Sequence, residues 1–213
     1  MTTFKAILSL LLVGWALAGG EWAQAVLLEK IVAVVNAEVV TLLDFDDHLA
    51  LASVFRASPW GGAQETPFDR EQALQRLIDH VLLRQEAIRT KIAQVEESEV
   101  LQQLHSLEQQ PGRAGSLAQV IRARRLSHGR VQAWLRNQLI VHAFIDRRIR
   151  LFVRVSEQDI LQYYEQHQVA IAEPLSDAIK EQIRRVLLEQ QVNTRLDAFV
   201  KDLRRKANLQ FPP

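Results

Sequence analysis

Six histidines are the residues of this 213-residue chain best suited to proton transfer or metal binding. They are His48, His80, His105, His128, His142 and His167. Their spacing matches neither the His-Glu-x-x-His pattern of a zinc site nor another paired ligand pattern. The chain also has no phosphate-binding loop, glycine fingerprint or nucleophile elbow. The histidines therefore point to no particular reaction.

Two of the histidines lie one helical turn from an aspartate. His142 precedes Asp146, and His48 follows Asp44. Residues four apart share a helix face, so either pair could form an acid–base dyad. Pairs with this spacing are far more often solvated or satisfied within the core, and we expect neither to be catalytic.

A run of acids could suggest a metal site near the start of the first predicted helix. Asp44, Asp46 and Asp47 lack the glycine and the downstream glutamate of a calcium loop, and the helix dipole explains acids in a first turn. The chain has no cysteine, which excludes disulfides, thiol catalysis and thiolate metal sites. The sequence predicts a binding module, not an enzyme, with no catalytic residue, metal or cofactor.

The arginines are unevenly distributed along the chain. Residues 26–111 hold 14 acidic and 7 basic residues, whereas residues 112–154 hold ten arginines and one acid, Asp146. Such a basic band could attract an anion or a nucleic acid. Arginines spaced through an amphipathic helix more often form its solvated side, here matched to the acidic first third of the chain. We favour that interpretation and expect no nucleic-acid partner.

The first 25 residues have the three-part layout of a secretory signal. Lys5 precedes an uncharged apolar run over residues 7–18, and the segment ends in small residues at Ala23 and Ala25. The run is shorter than the roughly 20 residues of a membrane-spanning helix. We expect cleavage after Ala25 and no stable membrane insertion afterwards; an uncleaved anchor is the alternative.

The mature chain, residues 26–213, is predicted to be a single domain that opens with a β-hairpin. Ile31–Val35 and Glu38–Thr41 are β-branched runs separated by Asn36, which tolerates the left-handed conformation of a tight turn. A lone hairpin is marginal in water, so a third strand is expected. Residues 207–211 are the candidate, and they would place both chain ends in one sheet.

The remaining elements are predicted to be helical, so the fold class is mainly α with a small antiparallel sheet. Capping patterns mark three helix starts, at Thr41 with Asp44, at Thr66 with Asp69 in the third following position, and at Ser156 with Asp159. The predicted helices cover residues 43–57, 67–90, 97–109, 117–125, 128–153, 157–167 and 175–206.

The predicted helix over residues 128–153 is apolar on two sides. Ile140, Phe144 and Leu151 lie roughly opposite a core stripe that runs from Val131 to Phe152. This helix is expected to be buried on two sides or to display one apolar strip. We favour central burial, because a helix that is apolar all round normally lies inside a protein.

Five stretches of the chain together resemble a known family. They are EKIVAVVNAEVVT at 29–41, RLIDHVLLRQEA at 76–87, LRNQLI at 135–140, VSEQDI at 155–160 with Tyr163 and Tyr164, and the tail from IKEQIRR at 179–185 to residue 207. In this order they resemble the SurA family of periplasmic chaperones and parvulin-type prolyl isomerases. The resemblance implies a SurA-type chaperone core, with an N-terminal part over residues 26–167 and a C-terminal helix and closing strand over residues 175–213.

The parvulin domain is the part of the family's pattern that this chain lacks. In the family it lies between the Tyr-Tyr helix and the last helix, where only residues 168–174 intervene here. A segment this short reaches at most about 25 Å and cannot contain a domain. Leu43 also replaces the family's capping serine. We expect a chaperone core without isomerase activity.

The resemblance implies an ATP-independent periplasmic holdase that binds unfolded or outer-membrane client polypeptides. Such a protein needs exposed apolar surface. Two other functions stay open, a prolyl isomerase or its partner protein, and an anion or nucleic-acid binder that uses the basic helix. The candidate client-binding residues are Phe55, Trp60, Phe144, Leu151, Tyr163 and Tyr164.

Overall fold

Seven α-helices and three short strands make up the part of the chain that the structure describes. The structure is a computed structural model, and it describes residues 30–55, 69–110, 113–167 and 174–212. A mainly α fold with a small antiparallel sheet, as predicted, is confirmed. The elements are β1 (Ile31–Val35), β2 (Glu38–Thr41), α1 (Leu42–Phe55), α2 (Arg70–Thr90), α3 (Glu97–Glu108), α4 (Arg113–Arg124), α5 (His128–Arg148), a 3₁₀ turn (Arg150–Phe152), α6 (Glu157–Gln166), α7 (Asp177–Lys206) and β3 (Leu209–Gln210).

The sheet joins the two ends of the described chain in the order β2-β1-β3, with all strands antiparallel. Val35 of β1 lies opposite Glu38 on one side and Leu209 on the other. The hairpin strands have the predicted bounds, whereas β3 is shorter than the predicted residues 207–211. The predicted third strand therefore exists as a short segment beside the central strand.

Asn36 connects the hairpin turn to both the C-terminal strand and α2. It adopts φ 59°, the left-handed conformation that asparagine tolerates. Its backbone N–H donates to the carbonyl of Asn208 at 2.8 Å, and its Oδ1 accepts from the Asn208 N–H at 3.0 Å. Its Nδ2 donates to Oε1 of Gln85 at 2.7 Å, and Gln85 in turn donates to the carbonyl of Val35 at 3.2 Å. One turn residue thus fixes three chain segments.

Reciprocal capping starts two of the helices as predicted. At α1 the N–H of Asp44 donates to Oγ1 of Thr41 at 3.1 Å, and the carboxylate accepts the N–H of Thr41 at 3.3 Å. At α6, Ser156 and Asp159 form the same arrangement. Each pair satisfies amide donors that the helix leaves without partners. The start of α1 is therefore capped by Thr41 and Asp44, although Leu43 replaces the family's capping serine.

The cap of α2 differs from the prediction. Asp69 itself is the N-cap, with extended backbone angles, and its Oδ1 accepts from the N–H groups of Glu71 and Gln72 at 2.8 and 3.3 Å. The prediction that made Asp69 the third helical residue was therefore wrong, and the proposed cap Thr66 lies outside the described residues. A short acidic side chain satisfies the first free donors best when it stands just ahead of the helix.

The long helix α5 ends at Arg148, not at the predicted residue 153. Ile149 departs from helical geometry with φ −119° and ψ −61°, and a 3₁₀ turn follows. A 3₁₀ turn advances by 3.0 residues per turn instead of 3.6, so side chains after Arg148 leave the helical stripe. Ile149 stays buried, whereas Leu151 and Phe152 point to solvent.

Helix α5 is buried against other helices on two sides. The central burial that its two apolar sides favoured is therefore found in the structure. Its first half places Val131 and Leu135 in a cluster with α1, α3 and α4. Its second half places Phe144 and Ile145 in a cluster with α2 and α7. A third cluster packs the sheet on α2, and a fourth, around Ile160, packs α6 on the first turns of α7. Within the residues that the structure describes, no helix has both the length and the apolar character needed to cross a membrane.

Candidate functional site

Two of the predicted client-binding residues, Phe55 and Phe144, lie in the core. Phe144 is fully buried, with its ring centroid 5.8 Å from that of Phe199 on α7. Phe55 is 4% exposed, and its centroid lies 4.8 Å from that of Trp134. The expectation that these two rings form client surface was wrong, because helices distant in sequence cover the apolar faces on which they lie.

The two predicted tyrosines lie on α6 and are half-buried. Tyr163 stacks on His167, with ring centroids 4.0 Å apart and an interplanar angle of 17°. Tyr163 and Tyr164 both pack against the small cluster around Ile160. They cover the contact of α6 with α7 and leave only part of each ring open to a client. Trp60, the remaining predicted aromatic, lies outside the described residues.

Leu151 is the one predicted client-binding residue that the described structure leaves largely exposed, at 65%. Its neighbour Phe152 is 64% exposed, although the sequence placed Phe152 in the core stripe of the long helix. The helix ends before either residue, and the 3₁₀ turn carries both away from the core. Together they form an exposed apolar pair, which we call the apolar turn (Leu151 and Phe152).

Arginines flank the apolar turn in sequence, and one arginine of α7 contacts its backbone. Arg195 of α7 donates from Nη1 to the carbonyl of Phe152 at 2.9 Å. Arg147, at the end of α5, donates from Nη1 to the carbonyl of Ile92 at 2.8 Å. Both acceptors are neutral backbone oxygens, so these hydrogen bonds bring no negative charge next to either guanidinium group.

The acids next to the apolar turn are already paired. Arg150 donates from Nε to Oδ1 of Asp146 at 3.0 Å and from Nη2 to Oε2 of Glu189 at 3.1 Å. The hydrogen bond from Arg150 lowers the pKa of Glu189 and so favours its ionised form. Arg148 and Arg154, just before and just after the turn, are exposed and form no ion pair with any residue within the described ranges. The surface around the turn is therefore positively charged.

A cavity of about 320 Å³ lies between the hairpin, α1, α2 and α5. Ion pairs form part of two of its walls. On one wall Arg84 contacts Glu38, and on the other Arg130 contacts both Asp44 and Asp47 at 3.0 Å. Every charge on these walls therefore has an opposite charge beside it. The lining residues contain no serine, threonine, cysteine, lysine or tyrosine, and their titratable groups are carboxylates, guanidinium groups and two imidazoles.

Two histidines line this cavity and are held neutral. The indole Nε1–H of Trp134 donates to Nδ1 of His48 at 3.1 Å, which places the proton of His48 on Nε2. Burial lowers the pKa of His48 to about 4 and, with the positive charge of neighbouring side chains, the pKa of His80 to about 3. The His80 Nε2 atom is buried and has no hydrogen-bond partner within the described residues. The centroids of the two imidazole rings lie 5.8 Å apart.

Of the two candidate acid–base pairs, one lies on the solvated surface and the other is not formed among the described residues. His142 and Asp146 are 3.1 Å apart, but both side chains are solvated on the outer face of α5. Asp44 does not pair with His48 and instead contacts Thr41 and Arg130. Among the residues that the structure describes, no group of three or more potential ligands could hold a metal ion.

Several arginines of the basic band neutralise acids elsewhere in the fold. Arg124 donates from Nε to the buried Asp47 at 3.0 Å, and Arg136 contacts Glu97 on α3. Together with the contacts of Arg130 and Arg150, these pairs match the favoured interpretation of a basic face opposed to acidic segments. The band is therefore not one continuous cationic surface. Its exposed arginines without an ion pair to any described residue include Arg122 and Arg125 at the end of α4, and Arg148 and Arg154 beside the apolar turn.

No sequence signal located the apolar turn. The run RRIRLFVR over residues 147–154 keeps its four arginines within about 160° of a helix of 3.6 residues per turn. The run is therefore compatible with a continued helix that has one solvated side. No protein-family model and no curated protein sequence matches this chain.

Proposed function

We propose that this chain is an ATP-independent chaperone of the periplasm that holds unfolded or outer-membrane polypeptides. In this proposal it is a SurA-like core without the parvulin domain, exported by a signal peptide that is cleaved after Ala25. The sheet shared by both ends of the described chain supports the likeness. The close succession of α6 and α7 in sequence supports the absence of a parvulin domain between them.

The observation that carries the proposal is the exposure of the apolar turn. Leu151 and Phe152 are adjacent, each about two-thirds exposed, and neither is needed to fill the core. Burying such side chains against a client would contribute about 1 to 2 kcal/mol each. That is enough for weak binding to many sequences, which a holdase requires, and too little for one tight complex.

The arginines around the apolar turn support the same role. A chaperone must expose apolar groups to clients without associating with copies of itself. The positive charge around Leu151 and Phe152 makes two copies of this surface repel each other. An apolar pair inside a basic surface is therefore suited to transient client contact.

An aggregation assay on the mature chain, residues 26–213, tests the proposal. We expect it to suppress aggregation of a denatured outer-membrane-type protein without ATP, and the double substitution Leu151→Asn with Phe152→Asn to weaken that protection several-fold. Ile88 and Leu101 are also exposed apolar side chains, so Ile88→Asn with Leu101→Asn is the matched control and should protect as well as wild type. No protection by wild type at any excess would reject the holdase proposal.

The isomerase alternative is separated by a prolyl isomerisation assay on a proline-containing peptide. We expect no acceleration, because the segment between α6 and α7 is too short to contain a parvulin domain. Acceleration that persists in a highly purified sample would favour the isomerase over the holdase. Binding to an oligonucleotide with a steep salt dependence would favour the nucleic-acid alternative instead.

A further inference from the structure

We propose that the apolar turn selects client segments in which apolar residues are flanked by acidic ones. This inference rests on the proposed holdase function and names the class of polypeptide that the same surface prefers. The partner is identified by complementarity to an exposed apolar pair surrounded by guanidinium groups. A client segment with aspartate or glutamate beside its apolar residues would satisfy both features at once.

The positive charge at the turn is available because the fold does not neutralise it. Arg147 and Arg195 donate to backbone carbonyls and form no ion pair with any of the described residues. Arg148 and Arg154 are exposed and have no ion-pair partner within the residues that the structure describes. Arg195 contacts the backbone of Phe152, and the other three arginines lie within five residues of the turn in sequence, so positive charge is concentrated near it.

Four acids near these arginines already form ion pairs with other basic side chains. Asp146 and Glu189 both contact Arg150. Arg148 also lines a hollow that contains Glu86 and Asp202, but Glu86 contacts Arg89 and Asp202 contacts Lys206. A client carboxylate would therefore not have to displace an internal acid in order to contact Arg148 or Arg154.

An anionic lipid surface has the same two chemical features, yet the apolar turn is small for a membrane anchor. The side chains of Leu151 and Phe152 together contain fewer carbons than a myristoyl chain, and a single myristoyl chain gives only marginal membrane binding. Weak, reversible contact is sufficient for a holdase. The size of the apolar pair therefore favours a polypeptide over a bilayer.

Two labelled peptides test the selection directly. They share one apolar segment of leucine, valine and phenylalanine, and one has aspartates on both sides whereas the other has lysines. At about 50 mM salt we expect the aspartate peptide to bind the mature wild-type protein about tenfold more tightly, and the difference to shrink at about 500 mM salt because exposed charges are then screened. Fluorescence anisotropy gives both dissociation constants.

Charge reversal at the turn should reverse the preference. The double substitution Arg148→Glu with Arg154→Glu should bind the lysine peptide more tightly than the aspartate peptide. Arg122 and Arg125 are likewise exposed arginines, so Arg122→Glu with Arg125→Glu makes the same change in net charge elsewhere and should keep the wild-type preference. Circular dichroism of each variant establishes that its helical content is unchanged.

The possible results distinguish failure of the charge selection from failure of the holdase proposal. Equal binding of both peptides, together with protection of a denatured substrate, would overturn the charge selection and leave the holdase proposal standing. Loss of preference in both double variants would place the selecting charge elsewhere and would also overturn the inference. Binding to anionic phosphatidylglycerol vesicles but to neither peptide would identify a membrane surface as the partner. Absence of both peptide binding and protection would reject the holdase proposal itself.

Discussion

Phe144 and Leu151 were predicted to lie on the same helix face, and the fold gives them opposite environments. Phe144 is fully enclosed by α2, α5 and α7, whereas Leu151 stands in the 3₁₀ turn with most of its side chain in solvent. The same chemical class of residue therefore stabilises the fold at one position and is available for binding at the other. Stability and client protection should respond differently to substitution at the two positions.

Phe144→Ala should destabilise the protein by about 3 to 5 kcal/mol, because it removes a ring from a packed core and leaves a cavity. Leu151→Ala should change the free energy of unfolding by less than about 0.5 kcal/mol, because its side chain is mostly solvated. Urea unfolding followed by circular dichroism measures both values. A small loss at Phe144 would contradict its placement in the core cluster.

The histidines beside the cavity link stability to pH. Folding lowers the pKa of His48 to about 4 and that of His80 to about 3, below the ordinary value of about 6.5 in an unfolded chain. As pH falls below about 6.5 the unfolded state binds protons that the folded state does not, so the folded state becomes relatively less stable. The stability from each neutral ring is present above pH 6.5 and is lost as pH falls toward the folded pKa.

We expect each of these histidines to lower the free energy of unfolding by about 2 kcal/mol when the pH falls from 7 to 5. The replacements His48→Gln and His80→Gln should each reduce the difference in unfolding free energy between these two pH values. His105 is exposed on α3, and His105→Gln should keep the wild-type difference. Urea titrations at both pH values test this, and an unchanged difference in both cavity variants would contradict the neutral, buried state of the rings.

Among the elements, the short strand β3 pairs with the edge of β1 that β2 leaves open, at Val34 and Val35, and packs against the third apolar cluster. Leu209 packs against that cluster, and Asn208 exchanges two hydrogen bonds with Asn36. The end of α7 is held separately, because Arg204 contacts both Asp79 and Gln75 on α2. Loss of the strand should therefore weaken the sheet without detaching the helix.

Removal of residues 207–213 should destabilise the domain by about 2 kcal/mol and lower Tm by about 4 to 8 °C. The exposed edge of β1 should also make the shortened protein more prone to aggregation. Removal of residues 212–213 alone keeps β3 and is the matched control. Thermal unfolding measures the effect, and equal Tm values for the two truncations would show that β3 contributes nothing to stability.

In the molecule as a whole, ion pairs connect α5 to the helices packed around it. Asp47 is 5% exposed and contacts Arg124 of α4 and Arg130 of α5, so it connects three helices. Such a buried acid is tolerated because both guanidinium groups compensate its charge. Part of the charge asymmetry along the sequence thus becomes internal pairing. Exposed arginines without an ion pair to any described residue remain at Arg122 and Arg125 and near the apolar turn.

Export is a prediction for the whole chain and depends on its first 25 residues. Small residues at Ala23 and Ala25 after a short apolar run place the mature N-terminus at Val26. Intact-mass measurement of the exported protein should give the mass of residues 26–213, and Ala25→Asp should block processing and leave the full-length chain. A wild-type chain that still begins at Met1 and fractionates with the inner membrane would contradict cleavage.

Local features of the fold could be predicted because local chemistry determines them. The bounds of β1 and β2 follow from β-branched runs around Asn36, and the start of α6 follows from the reciprocal bonds of Ser156 and Asp159. Even the third strand was predictable in outline, since an isolated hairpin leaves unpaired backbone groups. In each case the interacting residues are adjacent in sequence, or the need for a partner is a property of the element itself.

Tertiary structure alone decided which apolar side chains reach solvent. Helical periodicity places Phe144 on one face, but its burial depends on Phe199, which lies far along the chain on α7. The exposure of Phe152 depends on where α5 ends, and the packing of Ile149 and Val153 into the core accompanies the change to a 3₁₀ turn. A pattern in sequence gives the direction of a side chain relative to its own helix. Whether another element covers that direction depends on contacts between residues distant in sequence, and those contacts separate the core from the surface here.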